Sequence, residues 1–168
     1  NMVISAVDIP DLSLVDSMNV AFSTTNISTV ANMNNWDVST VVTMEAMFEG
    51  CENFNEFIGD WDVSKVTDMH AMFFVAPEFN QDISSWDVSQ VTDMSYMFNF
   101  AANFNQDISS WNVSKVTNMA STFNSAFTFN QDIGNWDVSK VQDMNKMFYT
   151  AAEFDQNIDA WDVSQVTN

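Results

Sequence analysis

Six tryptophans recur at a constant interval of 25 residues, without insertion or deletion: Trp36, Trp61, Trp86, Trp111, Trp136 and Trp161. Valine follows each tryptophan at the second and fifth positions. Met, Phe and a second Phe follow the first five tryptophans at the eighth, twelfth and eighteenth positions. Units in strict phase must contact their neighbours, because an array of independent domains would tolerate linkers of varied length.

One repeat, residues 79–103, predicts a strand followed by a short helix. Apolar and polar residues alternate around Trp86 and Val88, which is the pattern of a half-buried strand. Apolar side chains then stand at i, i+3, i+4 and i+7 over residues 94–101, the pattern of one helix face. Thr92 and Asp93 precede this segment as a cap. Recurrent asparagines beside a phenylalanine predict a ladder that hydrogen-bonds the turn backbone: Asn55, Asn80, Asn105 and Asn130.

Stacked repeats of this kind predict an α/β solenoid. Each right-handed coil would contribute one short parallel strand and one short helix, and neighbouring coils would bury its apolar residues. Residues 1–35 are interpreted as a diverged N-terminal capping coil with four extra residues before Trp36, and residues 36–168 as tandem repeats. The last repeat ends before its expected helix, so flanking repeats of the same array are expected partners.

The charge of the chain limits its partners. There are 23 acidic residues against four lysines and no arginine, a formal net charge of −19. Such a surface repels nucleic acid and anionic lipid. No apolar run approaches the ~18 residues of a membrane-spanning helix. The single cysteine allows no intrachain disulfide.

The repeated phrase FNQDISSWDVSQVTDMSYMF, residues 79–98, resembles the repeat of the BspA-like bacterial surface proteins. Its I-x-x-W-x-V core takes the role of the L-x-x-L-x-L strand of leucine-rich repeats. The resemblance covers residues 36–168 closely and residues 1–35 loosely. It implies a leucine-rich-repeat-like solenoid on a bacterial cell surface or secreted, sometimes linked to adhesion, and it implies no catalytic residues.

Residues for enzyme chemistry are scarce. His70, the only histidine, falls at a variable position of the repeat and is interpreted as a surface side chain. Cys51 aligns with alanines and is interpreted as an inert core thiol. No phosphate-binding glycine loop and no zinc spacing occurs. The sequence therefore predicts a protein that is not an enzyme.

Two sets of residues are candidate binding sites. Aspartates after the tryptophans would line one exposed face, and their main interpretation is a solvated polar surface; Asp62, Asp87 and Asp137 are tentative ligand-binding residues. A sharper hypothesis is weak Ca²⁺ binding by Asp60, Asp62 and Asp87. Aromatic side chains at changeable positions either pack between coils or form a contact patch; Phe74, Phe100 and Tyr149 are the candidates.

Three functions follow from these observations. We favour a cell-surface recognition or adhesion module that binds a protein or glycan of a host or neighbouring cell. A structural spacer within a larger surface protein is the first alternative, and an accessory binding domain of a secreted enzyme is the second. Uniform Asp and Ser residues on one face favour the spacer, whereas the variable edge favours binding there.

Overall fold

The computed structural model describes residues 2–4 and 9–168. Strand β1 spans Met2–Ile4 and strand β2 spans Ile27–Val30, and the two pair in parallel. A 3-10 helix spans Met33–Asn35. The predicted strand of the first coil, residues 4–9, lies largely outside the described residues.

Backbone hydrogen bonds join each repeat to the next over its second half. In the repeat of Trp86, the N–H groups of Met94, Tyr96, Phe98 and Phe100 donate to carbonyls 24 residues further on, at 2.8–3.0 Å. The same pattern gives parallel bridges at one position of each coil: Ser17 with Thr43, then Asp68, Asp93, Asn118 and Asp143. Successive repeats are therefore stacked side by side.

This segment is the one for which the sequence predicted a helix, and the prediction is wrong for the described residues. Residues 95–100 form consecutive turns. Tyr96 and Phe100 have positive φ angles of 60° and 59°. A left-handed residue at the third position of a turn breaks the α-helical course. Alternate N–H groups then point to the next coil instead of back along the chain. Met94, Met97, Phe98 and Ala101 are nevertheless buried, as the spacing predicted.

The predicted strand around Trp86 and Val88 is also absent from the described residues. Its N–H groups are used locally: Trp86 donates to the Ile83 carbonyl at 3.1 Å, and Val91 donates to Val88 at 2.9 Å. Two turns, at residues 84–85 and 89–90, flank the segment. Because its backbone is satisfied within the coil, this segment forms no ladder, although Ile83, Trp86 and Val88 are buried.

Two columns of stacked phenylalanine rings fill the space inside the coils. In the first column, neighbouring ring centroids lie 5.6–5.7 Å apart: Phe22, Phe48, Phe73, Phe98, Phe123 and Phe148. In the second, they lie 5.9–6.1 Å apart: Phe54, Phe79, Phe104, Phe129 and Phe154. Each coil therefore covers the rings of its neighbours, and the core is continuous along the stack.

The tryptophans tie neighbouring coils together through their indole nitrogens. Trp111 Nε1 donates to the Ile83 carbonyl at 3.2 Å, and Trp86 and Trp136 make the equivalent bond at 3.1 Å. Trp36 Nε1 has no such acceptor among the described residues, and the equivalent acceptor position, residue 8, lies outside them. A recurring geometry thus pairs each buried ring with a carbonyl that would otherwise be unsatisfied.

The asparagine ladder predicted from the sequence is confirmed. Asn105 Oδ1 accepts the backbone N–H of Asn130 at 2.9 Å and the side-chain amide of Gln131 at 2.8 Å. Asn105 itself donates its N–H to Asn80 Oδ1 at 2.9 Å. The same bonds recur from Asn55 to Asp155, so this column connects the coils at the turn that precedes each tryptophan.

Replacement of Asn105 by alanine is expected to lower the free energy of unfolding by about 1–3 kcal/mol, because two donors of the next coil lose their acceptor. Asn105→Asp keeps an acceptor oxygen in place, as Asp155 does at the end of the column, and is expected to change stability by less than about 0.5 kcal/mol. Urea unfolding followed by circular dichroism measures both. An alanine variant as stable as the aspartate variant would contradict the role of the ladder.

The first coil differs from the predicted register. Met18 donates to Thr43 as Met44 donates to Asp68, and Phe22 stacks on Phe48. Met18 therefore matches Met44, one residue beyond the regular interval, and the first coil has one extra residue where the sequence pattern predicted four. The assignment of this coil as a cap, the solenoid class and its right-handed sense stay predictions.

Candidate functional site

One side of the stack presents a uniform row of aspartate turns. The Oδ1 atoms of Asp62, Asp87 and Asp137 accept the N–H of the serine two residues later, at 3.0–3.1 Å. At Asp137, the hydroxyl and the N–H of Ser139 lower the pKa of the carboxyl, and Ser89 lowers the pKa of Asp87 in the same way. These carboxylates are exposed and shape turns. Ligand binding by them stays a prediction.

The residues proposed for Ca²⁺ are not brought into one cluster. Asp60 accepts a hydrogen bond from the side chain of Asn34, while Asp62 and Asp87 each bind the N–H of their own turn. Among the described residues, no three acidic, histidine or cysteine side chains form a group suited to a metal ion. Weak Ca²⁺ binding therefore stays a hypothesis that rests on the sequence.

The opposite, turn-rich side displays aromatic rings, and we call it the turn face. Exposed rings there belong to Tyr96 (39%), Phe100 (48%), Phe127 (45%) and Tyr149 (61%). Phe74 is half-buried, and its ring meets the edge of Tyr96 at a centroid distance of 6.1 Å. The structure thus brings Phe74 into contact with a neighbouring aromatic residue, whereas Phe100 and Tyr149 extend into solvent.

A groove opens on the turn face beside Phe74. It has a volume of about 320 Å³. Its lining comes from four successive coils: Val20, Glu45, Ala46, Glu49, His70, Ala71, Phe74 and Tyr96. The groove thus combines two carboxylates, an imidazole and two aromatic rings.

His70 is held in a hydrogen-bonded cluster. Its Nδ1 lies 2.8 Å from the hydroxyl of Ser95, and that hydroxyl donates to Asp93 Oδ1 at 2.5 Å. Ser95 is buried and its proton is directed at the carboxylate, so the histidine is not placed to activate it as a nucleophile. The interpretation of His70 as a solvated surface residue is wrong, because it is half-buried and bonded.

Cys51 lies in the core, as expected from the aligned alanines. Its Sγ donates to the Phe22 carbonyl at 3.0 Å, and burial raises the pKa of the thiol. A raised pKa keeps the sulfur protonated at neutral pH and reduces its reactivity.

Sequence reasoning missed Glu45, Glu49 and Tyr96 as members of one surface. They stand at different positions of the predicted helix, and the consecutive turns bring those positions to one side of the stack. A signal was nevertheless present. Ala46 and Ala71 occupy the position at which Tyr96 stands one coil later, and two small residues between larger ones mark an opening in a stacked column.

The stacked 25-residue units, with their shared core and hydrogen-bond ladders, define a tandem-repeat protein. The chain belongs to the Mycoplasma protein family of unknown function DUF285, whose profile matches residues 16–113 and again 82–168. This family is related to the BspA-like repeats. No curated protein and no solved structure matches the chain significantly. No helix in the described part of the chain has the length and apolarity to cross a membrane.

Proposed function

We propose that this chain is a non-enzymatic recognition or adhesion module of the BspA-like, leucine-rich-repeat type, displayed on a bacterial surface or secreted. Its repeats would form a solenoid, and its turn face would bind a protein or glycan of a host or neighbouring cell. The observation that carries the proposal is the set of exposed aromatic rings on one side of the stack.

Exposed aromatic rings are costly to leave in water and are enriched at the centres of protein interfaces. The repeat does not require them for folding, because other coils place small or polar residues at the same positions. Ser125 and Thr150 stand where Phe100 stands, and Asn99 and Asn124 stand where Tyr149 stands. The rings are therefore free to serve contact with a partner.

The uniform aspartate turns on the other side support the spacer alternative. Asp37, Asp62, Asp87, Asp137 and Asp162 make the same bond to a serine N–H, and Asn112 makes it where aspartate is replaced. A surface that repeats without variation carries little information about a partner. A spacer would need only this regularity.

The experiment compares binding of purified protein to intact cells, glycans and matrix proteins. Phe100→Ser and Tyr149→Asn, combined, install residues that other coils already carry, and are expected to weaken binding about tenfold or more. The matched control combines Asp87→Asn and Asp137→Asn, which install the residue type that Asn112 already provides at this position, and is expected to leave binding within about twofold.

Retained binding by the aromatic variant, with loss in the aspartate control, would move the site to the aspartate side. Absence of binding by the unmodified protein to every surface tested would support the spacer instead. Circular dichroism of both variants checks that the stack is intact.

A further inference from the structure

The groove on the turn face exists because of two alanines. Val20, Ala46, Ala71 and Tyr96 occupy one position in four successive coils, and all four have positive φ angles between 51° and 60°. Ala46 and Ala71 are buried at the base of the groove, and the larger Val20 and Tyr96 flank them. The result is an opening two coils wide, with a volume of about 320 Å³.

Two carboxylates line this opening. Glu45 Oε2 accepts a hydrogen bond from the Asn19 amide at 3.0 Å, and Glu49 Oε2 accepts one from the Ser23 hydroxyl at 3.2 Å. These bonds orient both side chains. The second oxygen of each carboxylate accepts no hydrogen bond within the described part of the chain, so each retains an acceptor for a ligand.

His70 adds a further acceptor. Asp93 receives three donors, the N–H and hydroxyl of Ser95 and the Asn118 amide. With its proton committed to Asp93, the Ser95 hydroxyl must accept at the 2.8 Å contact with His70 Nδ1. Neutral His70 is therefore protonated on Nδ1, and its Nε2 carries a lone pair.

Aromatic rings supply the remaining wall. The ring of Tyr96 lies between those of His70, at 5.6 Å, and Phe74, at 6.1 Å, in edge contacts with both. Aromatic faces attract cations, and their hydrocarbon surface suits an alkyl chain. Lined by acceptors and aromatic rings, the groove is suited to a positively charged group on an apolar stem.

We propose that this groove binds a lysine side chain presented by a basic segment of a partner protein. This inference rests on the proposed recognition function and assigns it a chemical specificity. The ammonium group donates to Glu45, Glu49 and His70 Nε2, which matches its three protons. The alkyl stem packs on Phe74 and Tyr96. The net charge of −19 favours the approach of such a segment.

The test uses two-dimensional NMR of the whole chain titrated with the peptide acetyl-Gly-Ser-Lys-Ser-Gly-amide at about 150 mM NaCl, where distant charges are screened. Shifts are expected at the amides of Ala46, His70 and Ala71. The same peptide with an acetylated lysine is expected to produce none, since acetylation removes the charge.

Two variants and a control locate the interaction. Glu45→Gln with Glu49→Gln is expected to raise the dissociation constant about tenfold, and Tyr96→Ala, the residue of the preceding coils, about threefold. Glu78→Gln with Glu153→Gln removes two exposed carboxylates elsewhere and is expected to change it by less than about twofold.

Equal weakening by the control pair, or shifts spread over all acidic surfaces, would overturn the proposal and indicate diffuse attraction only. The adhesion assay with the Phe100 and Tyr149 variant separates the two proposals. Adhesion without peptide shifts refutes the lysine site alone, whereas peptide shifts in the groove without adhesion refute the broader function and leave the site in place.

Discussion

Trp111→Ala is expected to lower the free energy of unfolding by about 3–5 kcal/mol. The indole is 4% exposed, packs against the Phe98 ring at 6.4 Å and binds the Ile83 carbonyl. Truncation leaves a cavity in the middle of the stack and an unsatisfied carbonyl, and coils on both sides of Trp111 prevent collapse into the space.

Trp161→Ala is the matched control, because the same residue type lies at the end of the stack. Trp161 is only partly buried and still binds the Ile133 carbonyl at 3.1 Å. Its removal is expected to cost about 1–2 kcal/mol. Guanidinium unfolding followed by far-ultraviolet circular dichroism measures both variants. Equal losses for the two would show that neighbouring coils contribute nothing to the burial of Trp111.

Removal of one whole repeat is expected to leave a folded protein, whereas removal of one residue more is not. Deletion of residues 92–116 joins Val91 to Thr117 and restores the sequence Val-Thr found in the intact chain. The ladders then connect residues in their normal register. Deletion of residues 92–117 shortens one coil, so its turns and its asparagine cannot both meet the next coil.

The shorter coil is expected to cost about 3 kcal/mol or more, the sum of two or three hydrogen bonds left unmade. Thermal melts followed by circular dichroism compare the two deletions with the full chain. Similar melting temperatures for both deletions would contradict the requirement for register. The first coil, which carries one extra residue, marks where the repeat does accept a change in length.

The periodicity predicted which residues are buried, but not which segments connect the coils. Trp86, Val88, Met94 and Phe98 are all in the core, because a repeated apolar position must face the same interior in every coil. The same apolar spacing at Met94, Met97, Phe98 and Ala101 fits both a helix and a run of tight turns. The positive φ angles at Tyr96 and Phe100 decided between them.

No sequence rule indicated those φ angles, because the positions hold Val, Ala, Tyr, Phe, Ser and Thr instead of glycine. Isolated residues of these types avoid the left-handed region. Here the hydrogen bonds to neighbouring coils hold the backbone in place. The groove depended on the same geometry, so its charged and aromatic members could not be grouped from spacing alone.

The ladder of contacts between residues about 25 apart also determines how the chain would yield to a pulling force. Few bonds link distant coils, so tension applied at the two ends would detach one coil at a time from the end of the stack. Each release would add a length of roughly 85 Å. A surface protein built in this way would lengthen in equal steps under flow or cell movement while its remaining coils stayed folded.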